Sequence, residues 1–520
     1  MNHQSYLVAS LAALALAART AAALAAEFST PFGDGMVLQR ERPVPVWGTA
    51  EAGEDIVVRF AGQAKTATAG ADGRWRVNLD PMPECTEGRE LSVESATGGR
   101  MALADVLVGE VWLVSGQSNC ELPLVGKNPH FSERQGILVA NMTHRPLIRF
   151  TKAKTDWSAE PRRELRKRAE WRKCIPENLR QPFAFSAMGV CFALDVFAET
   201  GVPIGLVGAY LGSTNIEPWI PRVGFDGVPG AEWCRDWQTL PPGSAKESLV
   251  ARGAVRTLLR QPSVLWNAMV APWTPMAARG ILWYQGESNS GRGKELEEGA
   301  DWYRRMMHAF YDSWSRTLEN PSMRLYFVQC APFDDWWDIQ MCQAKFAAEE
   351  PNAAMVTTCD IGNLSDIHPN EKATIGKRLA ALALKRDYGF GDLVADAPVL
   401  RRCAAYGPEV RMDFSDASGW WLYNANWSVD VPFEIAGEDG QWHQARLVNS
   451  VSGLTNSVPW KTKGDIDGGG TLRIAADGVA APARVCYLRK RPWSGFLYST
   501  DSGLPLGPFE AEVERAKGAQ

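Results

Sequence analysis

The chain has 520 residues, 45% hydrophobic and 22% charged, a globular composition long enough for several domains. Its formal net charge of −5 and pI near 5.9 lack the basic excess that nucleic acid or an anionic membrane surface would require, so neither is expected as a partner. Ten cysteines with no C-x-x-C pair and no Cys/His cluster at zinc spacing give no small disulfide framework, and no metal or cofactor is expected.

Residues 1–25 read as a secretory signal peptide. A Leu/Ala-rich apolar stretch ends in Ala23-Leu24-Ala25, a small-x-small cleavage site, so an exported (periplasmic or extracellular) protein is expected. The n-region carries no Lys or Arg, and Arg19 interrupts the apolar stretch. No later stretch reaches the length of a membrane span. Residues 26–104 hold short alternating runs such as "DIVVRFAGQ" and "ELSVESATGG", split by Gly, Pro and Asp-Gly, which predicts a β-rich module. From 105 to 390 apolar strands ("EVWLV", "PIGLVGAY", "GILWY", "RLYFVQ", "AMVTT") alternate with amphipathic helices ("FSAMGVCFALDVFAET", "EEGADWYRRMMHAFYDSW", "DIQMCQAKFAAEE", "EKATIGKRLAALALKR"). In the last helix Ile375, Leu379 and Leu382 share one face. Continuous apolar strands linked by helices predict a parallel sheet covered on both sides. The mixed-charge run "RRELRKRAE", Arg162 to Glu170, reads as a solvated helix. Residues 391–520 return to β patterning rich in Gly and Trp, a second β-rich module. The 21 tryptophans read mostly as core, with sugar-stacking rings as the functional alternative. Cys191, Cys330 and Cys359, in apolar runs, read as small buried hydrophobes.

Ligands of an open parallel sheet bind beyond the carboxyl ends of its strands. Four polar stretches follow strands there: Ser115-Gly116-Gln117-Ser118-Asn119, Leu211-Gly212-Ser213-Thr214-Asn215, Gln285-Gly286-Glu287-Ser288-Asn289 and Cys359-Asp360-Ile361-Gly362. Any one alone reads as a turn; four on one rim point to a site. A fifth stretch, "SDIHPNEK" from Ser365 to Lys372, carries His368 with a carboxylate two residues away and Pro369 after it. His130, His144, His308 and His443 lack that setting. A serine hydroxyl is a weak nucleophile until a base takes its proton, and the base needs an orienting group. Ser118, His368 and an Asp supply those roles, and Asp366 or Asp360 can be the acid.

The stretch around Ser118 lacks the second glycine of G-x-S-x-G, so it is not the nucleophile elbow of α/β-hydrolases. Together with "PFGDGMVLQRERPVPVWG", "PIGLVGAYLGSTNIEPW", "ILWYQGESN" and "DIGNLSDIHPNEK", it resembles the SGNH (GDSL-like) hydrolases in their sialate O-acetylesterase branch, over nearly the whole chain. The resemblance implies an SGNH-type, flavodoxin-like parallel sheet sandwiched by helices and flanked by β-rich modules. It makes Ser118 the nucleophile, His368 the base and Asp366 the nearest acid. It also implies an oxyanion hole from the Ser118 and Gly212 N–H groups and the Gln285 amide, with Asn289 as the alternative to Gln285. Here the chain departs from the family at Cys120, often Met, and at Ser213, often Gly.

The reading is a serine esterase that removes O-acetyl groups from a carbohydrate through an acetyl-serine intermediate, without metal. Sialic acid esters and acetylated plant polysaccharides such as acetylxylan are the two substrate classes the resemblance allows. A non-catalytic carbohydrate-binding protein is the alternative from a different class. A peptidase or long-chain lipase would want an apolar groove or lid, of which the sequence gives no sign.

Overall fold

The structure, a computed structural model, describes residues 26–124, 144–179, 185–237, 258–290, 301–333, 336–362, 366–424, 431–458, 461–489 and 495–515. The expected signal peptide at 1–25, His130 and Ser365 lie outside the described residues.

The centre of the molecule is a parallel sheet. Its elements, in chain order, are β1 (Arg100–Gly116), α1 (Ser118–Glu121), β2 (Arg145–Lys152), β3 (Arg172–Cys174), α2 (Ala187–Thr200), β4 (Ile204–Tyr210), β5 (Gly280–Tyr284), α3 (Trp302–Thr317), β6 (Arg324–Val328), α4 (Trp337–Glu349), β7 (Ala353–Val356) and α5 (Lys372–Asp387). The spatial order is β3-β2-β4-β1-β5-β6-β7, all parallel except the antiparallel edge strand β3. Strands β4 and β5 are buried along their whole length, as their unbroken apolar sequences require of strands covered on both faces. Helices α2 and α5 cover one face, packing with Trp112, Val114 and Val328, and meet so closely that a Cβ on Gly376 would lie 2.5 Å from that of Cys191. Helix α3 covers the other, with Met306, Phe310 and Trp314 in one core with Leu113 and Trp283.

Strand β1 is longer than its apolar core "EVWLV" predicts, and the expected boundary at 104/105 falls inside it. Its first half pairs with Val37–Gln39 and Cys85–Ser95 of the N-terminal module, and its second half with β4 and β5. The tie is chemical as well. Glu110, fully buried, accepts from Gln39 Nε2 (3.0 Å) and Arg40 Nε (2.6 Å) of that module and from Arg279 Nε and Nη2 (2.8 Å each). The C-terminal strands from Leu400 to Arg515 form an eight-stranded and a four-stranded sheet, as the β patterning predicts.

One expectation is corrected. Residues 162–170 form no helix. Their charges are committed to the N-terminal module instead: Glu164 accepts from the Ser29 and Thr30 hydroxyls, and Arg168 donates to the Phe28, Ser29 and Phe32 carbonyls. Such long-range bonds outweigh a local helical preference. Strands β2 and β3, at the open edge, were not expected from the sequence, because "RPLIRFTK" and "RKC" carry too many charges to read as apolar strands. None of the ten cysteines is in a disulfide, and Cys191, Cys330 and Cys359 are buried as small hydrophobes. Among the described residues six tryptophans, Trp112 and Trp283 included, are fully buried core residues. Among the described residues no helix is long and apolar enough to cross a membrane.

Candidate active site

Leaving aside the edge pair β2–β3, the five remaining strands run β4-β1-β5-β6-β7, the second, first, third, fourth and fifth in chain order. The chain leaves β1 toward the β4 side and, after β4, crosses to β5 on the other side of β1, so a crevice opens at the carboxyl ends of β1 and β5. Gly116 ends β1 at φ +140°, and a Cβ on it would lie 2.1 Å from the Tyr284 carbonyl oxygen. Only glycine lets the two strand ends meet there while the chain turns into α1. The turn leaves Ser118, half-buried, as the first residue of α1.

The loop before α5 brings His368 to it. His368 Nε2 lies 3.0 Å from Ser118 Oγ, across 250 residues of sequence. Asp366 Oδ1 stands 3.6 Å from His368 Nδ1 and accepts a 2.9 Å bond from the His368 backbone N–H. The loop is therefore curled, which lets a carboxylate two residues away face the imidazole instead of running parallel to it. Asp360 sits elsewhere. Its two oxygens take a bidentate bond from Arg378 (2.9 and 2.6 Å) and one from Tyr498 of the C-terminal module (3.2 Å).

Gly212 packs against Ser118, a Cβ there reaching within 3.4 Å of Ser118 Cβ. Its N–H donates to Glu121 Oε2 at 2.7 Å, while Glu121 Oε1 lies 3.4 Å from Lys152 Nζ. The expected third donor does not present a free N–H. The fully buried Gln285 gives its Nε2 to Asn289 Oδ1 (2.8 Å), Gln117 Oε1 and Thr214 O (3.2 Å each), while its Oε1 accepts from Tyr303 (2.8 Å). Exchanging its oxygen and nitrogen would set three acceptors against an acceptor, so this orientation is fixed. Asn289, the alternative, spends its Nδ2 on the Glu217 carboxylate (3.1 and 3.2 Å). Both amides brace the rim from below.

The sequence reading missed a second shell of charge. Asn119 Nδ2 donates to Glu287 Oε1 (2.6 Å) and to the Ile367 carbonyl (3.1 Å), and Lys372 Nζ donates to Asn119 Oδ1 (2.5 Å). Lys372 and Glu287 are both buried. Burial pulls the lysine down to about 7, against attraction from Glu287 and Asp366, and the same burial raises Glu287. A signal was present: Lys372 is the first residue of α5, where a cation opposes the helix dipole and needs another reason to be there. Beside Glu121 opens a cleft of about 800 Å3 whose walls carry Lys152, Lys154, Arg166, Lys167 and Arg172. The Lys154 and Lys167 amines are in contact, which pushes Lys154 down. Among the described residues neither of these two lysines, nor Arg166, has a carboxylate partner within salt-bridge distance.

A serine hydroxyl 3.0 Å from an imidazole, at the carboxyl end of a parallel sheet, is an arrangement able to support nucleophilic catalysis in a hydrolase. The family model "Carbohydrate esterase, sialic acid-specific acetylesterase" matches residues 108–385, more than half of the chain, and the chain belongs to that family. It is 27% identical to the sialate O-acetylesterase of Rattus norvegicus over 424 residues, covering 72% of this chain and 76% of the relative. The Homo sapiens sialate O-acetylesterase is 26% identical over 421 residues, with 74% and 76% covered. The crystal structure of a carbohydrate acetylesterase from Xanthomonas citri superimposes with a TM-score of 0.75 at 29% identity, over 94% of this chain and 99% of that one. The protein is thus a carboxylic ester hydrolase, a carbohydrate O-acetylesterase built on a mixed α/β fold.

Proposed function

We propose that the protein removes O-acetyl groups from acidic sugars of the sialic acid type, with Ser118 as nucleophile, His368 as general base and Asp366 as the acid that orients it. The 3.0 Å approach of His368 Nε2 to Ser118 Oγ carries this reading. As Ser118 Oγ bonds to the acetyl carbon, its proton passes to Nε2. The imidazolium then gives that proton to the leaving sugar oxygen as the C–O ester bond breaks. Water, deprotonated by the same nitrogen, attacks the acetyl-serine; the C–Oγ bond breaks, the proton returns to Oγ and acetate leaves. Asp366 faces Nδ1 and stabilises the cation formed in each half.

The developing oxyanion is held by the Ser118 and Gly212 N–H groups. The Gly212 N–H now donates to Glu121 Oε2 at 2.7 Å, so it serves the oxyanion once that half-exposed carboxylate moves aside, whereas the Gln285 and Asn289 amides are buried in their bonds. Gln285 and Asn289 act by holding the rim, not by touching the substrate. The strand order second, first, third, fourth, fifth supports the SGNH, flavodoxin-like form of the sheet. The apolar opening with Ala23-Leu24-Ala25 supports export.

The cleft favours sialic acid esters over acetylxylan, because unpaired Lys154, Arg166 and Lys167 suit a substrate with its own carboxylate. The test is acetate release from O-acetylated sialosides and from acetylated xylan, by wild type and by Ser118→Ala. The wild type should favour the sialosides, and Ser118→Ala should release no acetate from either while keeping its fold. Turnover by a folded Ser118→Ala protein would refute the mechanism, and preference for xylan would refute the substrate class.

A further inference from the structure

Between the nucleophile turn and the histidine loop lies a buried chain of polar groups that touches neither the reacting atoms nor the cleft. Asn119 is its centre. One residue after Ser118, it receives Lys372 Nζ on its oxygen and sends its amide both to Glu287 Oε1 and to the carbonyl of Ile367, the residue before His368. Each member starts from a different element: Asn119 from α1, Glu287 from the turn after β5, Lys372 from the first residue of α5. The ammonium lies 5.1 Å from the ring centre of Tyr284, the last residue of β5. Asn119, Glu287 and Lys372 are at most 5% exposed, and Glu287 Oε2 has no hydrogen-bond partner among the described residues. Burying an ammonium and a carboxyl with an unsatisfied oxygen costs more than an apolar filling of the same space, so packing alone gives no reason for these residues. Their geometry gives one. The amide–carbonyl bond is a direct tie between the two loops that carry Ser118 and His368, and the lysine and glutamate fix the rotation of the amide that makes it.

We propose that Lys372, Asn119 and Glu287 form a positioning relay that sets the distance between His368 and Ser118 through the Asn119–Ile367 hydrogen bond. The proposal rests on the roles given above to Ser118 and His368. Around the relay, Glu287 and Asp366 are the groups whose charges act on Lys372, while burial keeps the neighbouring Cys120 thiol neutral. Displacing a catalytic group by about 1 Å from a distance can cost about 100-fold in rate, so a relay that fixes this distance acts on kcat and leaves sugar binding alone.

The test is a polarity swap. Asn119→Asp alone sets a carboxylate against Glu287 and removes the donor to Ile367. Combined with Glu287→Gln, the amide now sits on residue 287 and donates back to residue 119, Lys372 keeps its acceptor, and the number of buried charges is unchanged. Only the tie to Ile367 stays broken. The double variant is expected to melt near the wild-type temperature, with kcat for O-acetyl sialoside lower by about 10- to 100-fold and KM within about twofold. Lys372→Met, which frees the amide to rotate, should show the same split. Wild-type kcat in either folded variant would overturn the proposal. So would loss of the folded state in both, since the chain would then be structural only. Ser118→Ala measured beside them keeps the two readings apart. If it is inactive while the swap is fully active, the relay falls and the esterase mechanism stands; if it is active, the mechanism itself falls.

Discussion

At the scale of single residues, the two candidate acids differ in what surrounds them. Asp366 has an imidazole 3.6 Å away, whereas Asp360 is locked to Arg378, itself almost fully buried. Asp366→Asn should therefore lower kcat by on the order of 100- to 10,000-fold with little loss of stability, because the tautomer and the imidazolium lose their support. Asp360→Asn should do the reverse: it leaves a buried guanidinium unpaired, costing about 3 kcal/mol, with kcat of the folded protein near wild type. Steady-state kinetics and urea unfolding of the two variants check this, and a near-wild-type Asp366→Asn would remove it from the mechanism. Ser213 offers a smaller test. It sits at φ +61° in the left-handed region, where the resembling family often has glycine. Ser213→Gly relieves a side-chain strain of about 1–2 kcal/mol, partly offset by the entropy glycine gains on unfolding, so stability should rise by about 0.5 kcal/mol.

At the scale of elements, the start of α5 couples stability to pH. The folded-state pKa of Lys372, about 7, lies below its ordinary value of 10.5. Between those values the unfolded chain holds a proton that the folded chain has released, so this group makes stability rise with pH across that window. Glu287 has the opposite sign, its raised pKa making stability fall as pH rises above the usual carboxylate range. In a Glu287→Gln background, where burial of Lys372 is unopposed by that charge, the comparison isolates the lysine. From pH 7 to 10 the protein with Lys372 should gain unfolding free energy over its Lys372→Met partner by up to about 1.4 kcal/mol per pH unit. Urea titrations at each pH measure it; a flat difference would show that the amine is not held neutral.

At the scale of the whole molecule, β1 makes the N-terminal module part of the catalytic sheet. Arg40 supplies one of the two guanidinium groups on buried Glu110. Arg40→Met should cost about 3 kcal/mol and lower the melting temperature of the catalytic region together with the module, as one transition. Two separate transitions in calorimetry would show that the shared strand does not couple them.

The strands β4 to β7 and the long helices were legible in the sequence, which also singled out Ser118 and His368, the two side chains that the fold brings to 3.0 Å. Their signals are local: a run of apolar residues long enough to cross a buried sheet, a period of 3.6, a polar turn after a strand. Three things were not. The run 162–170 reads as helix by its own composition, yet its charges bond to residues more than 130 positions away. Gln285 stands first after its strand, like a substrate donor, but which acceptors fill its amide depends on Gln117 and Thr214 arriving from the ends of other strands and on the turn that folds Asn289 back onto it. The choice between Asp366 and Asp360 depends on whether a loop curls and on where Arg378 lies. Sequence alone determined the chemistry available at the rim, because residue types and strand ends are written along the chain. Only the tertiary structure decided which groups are already bonded to one another, because a hydrogen bond is spent by whatever partner folding brings within about 3 Å of it.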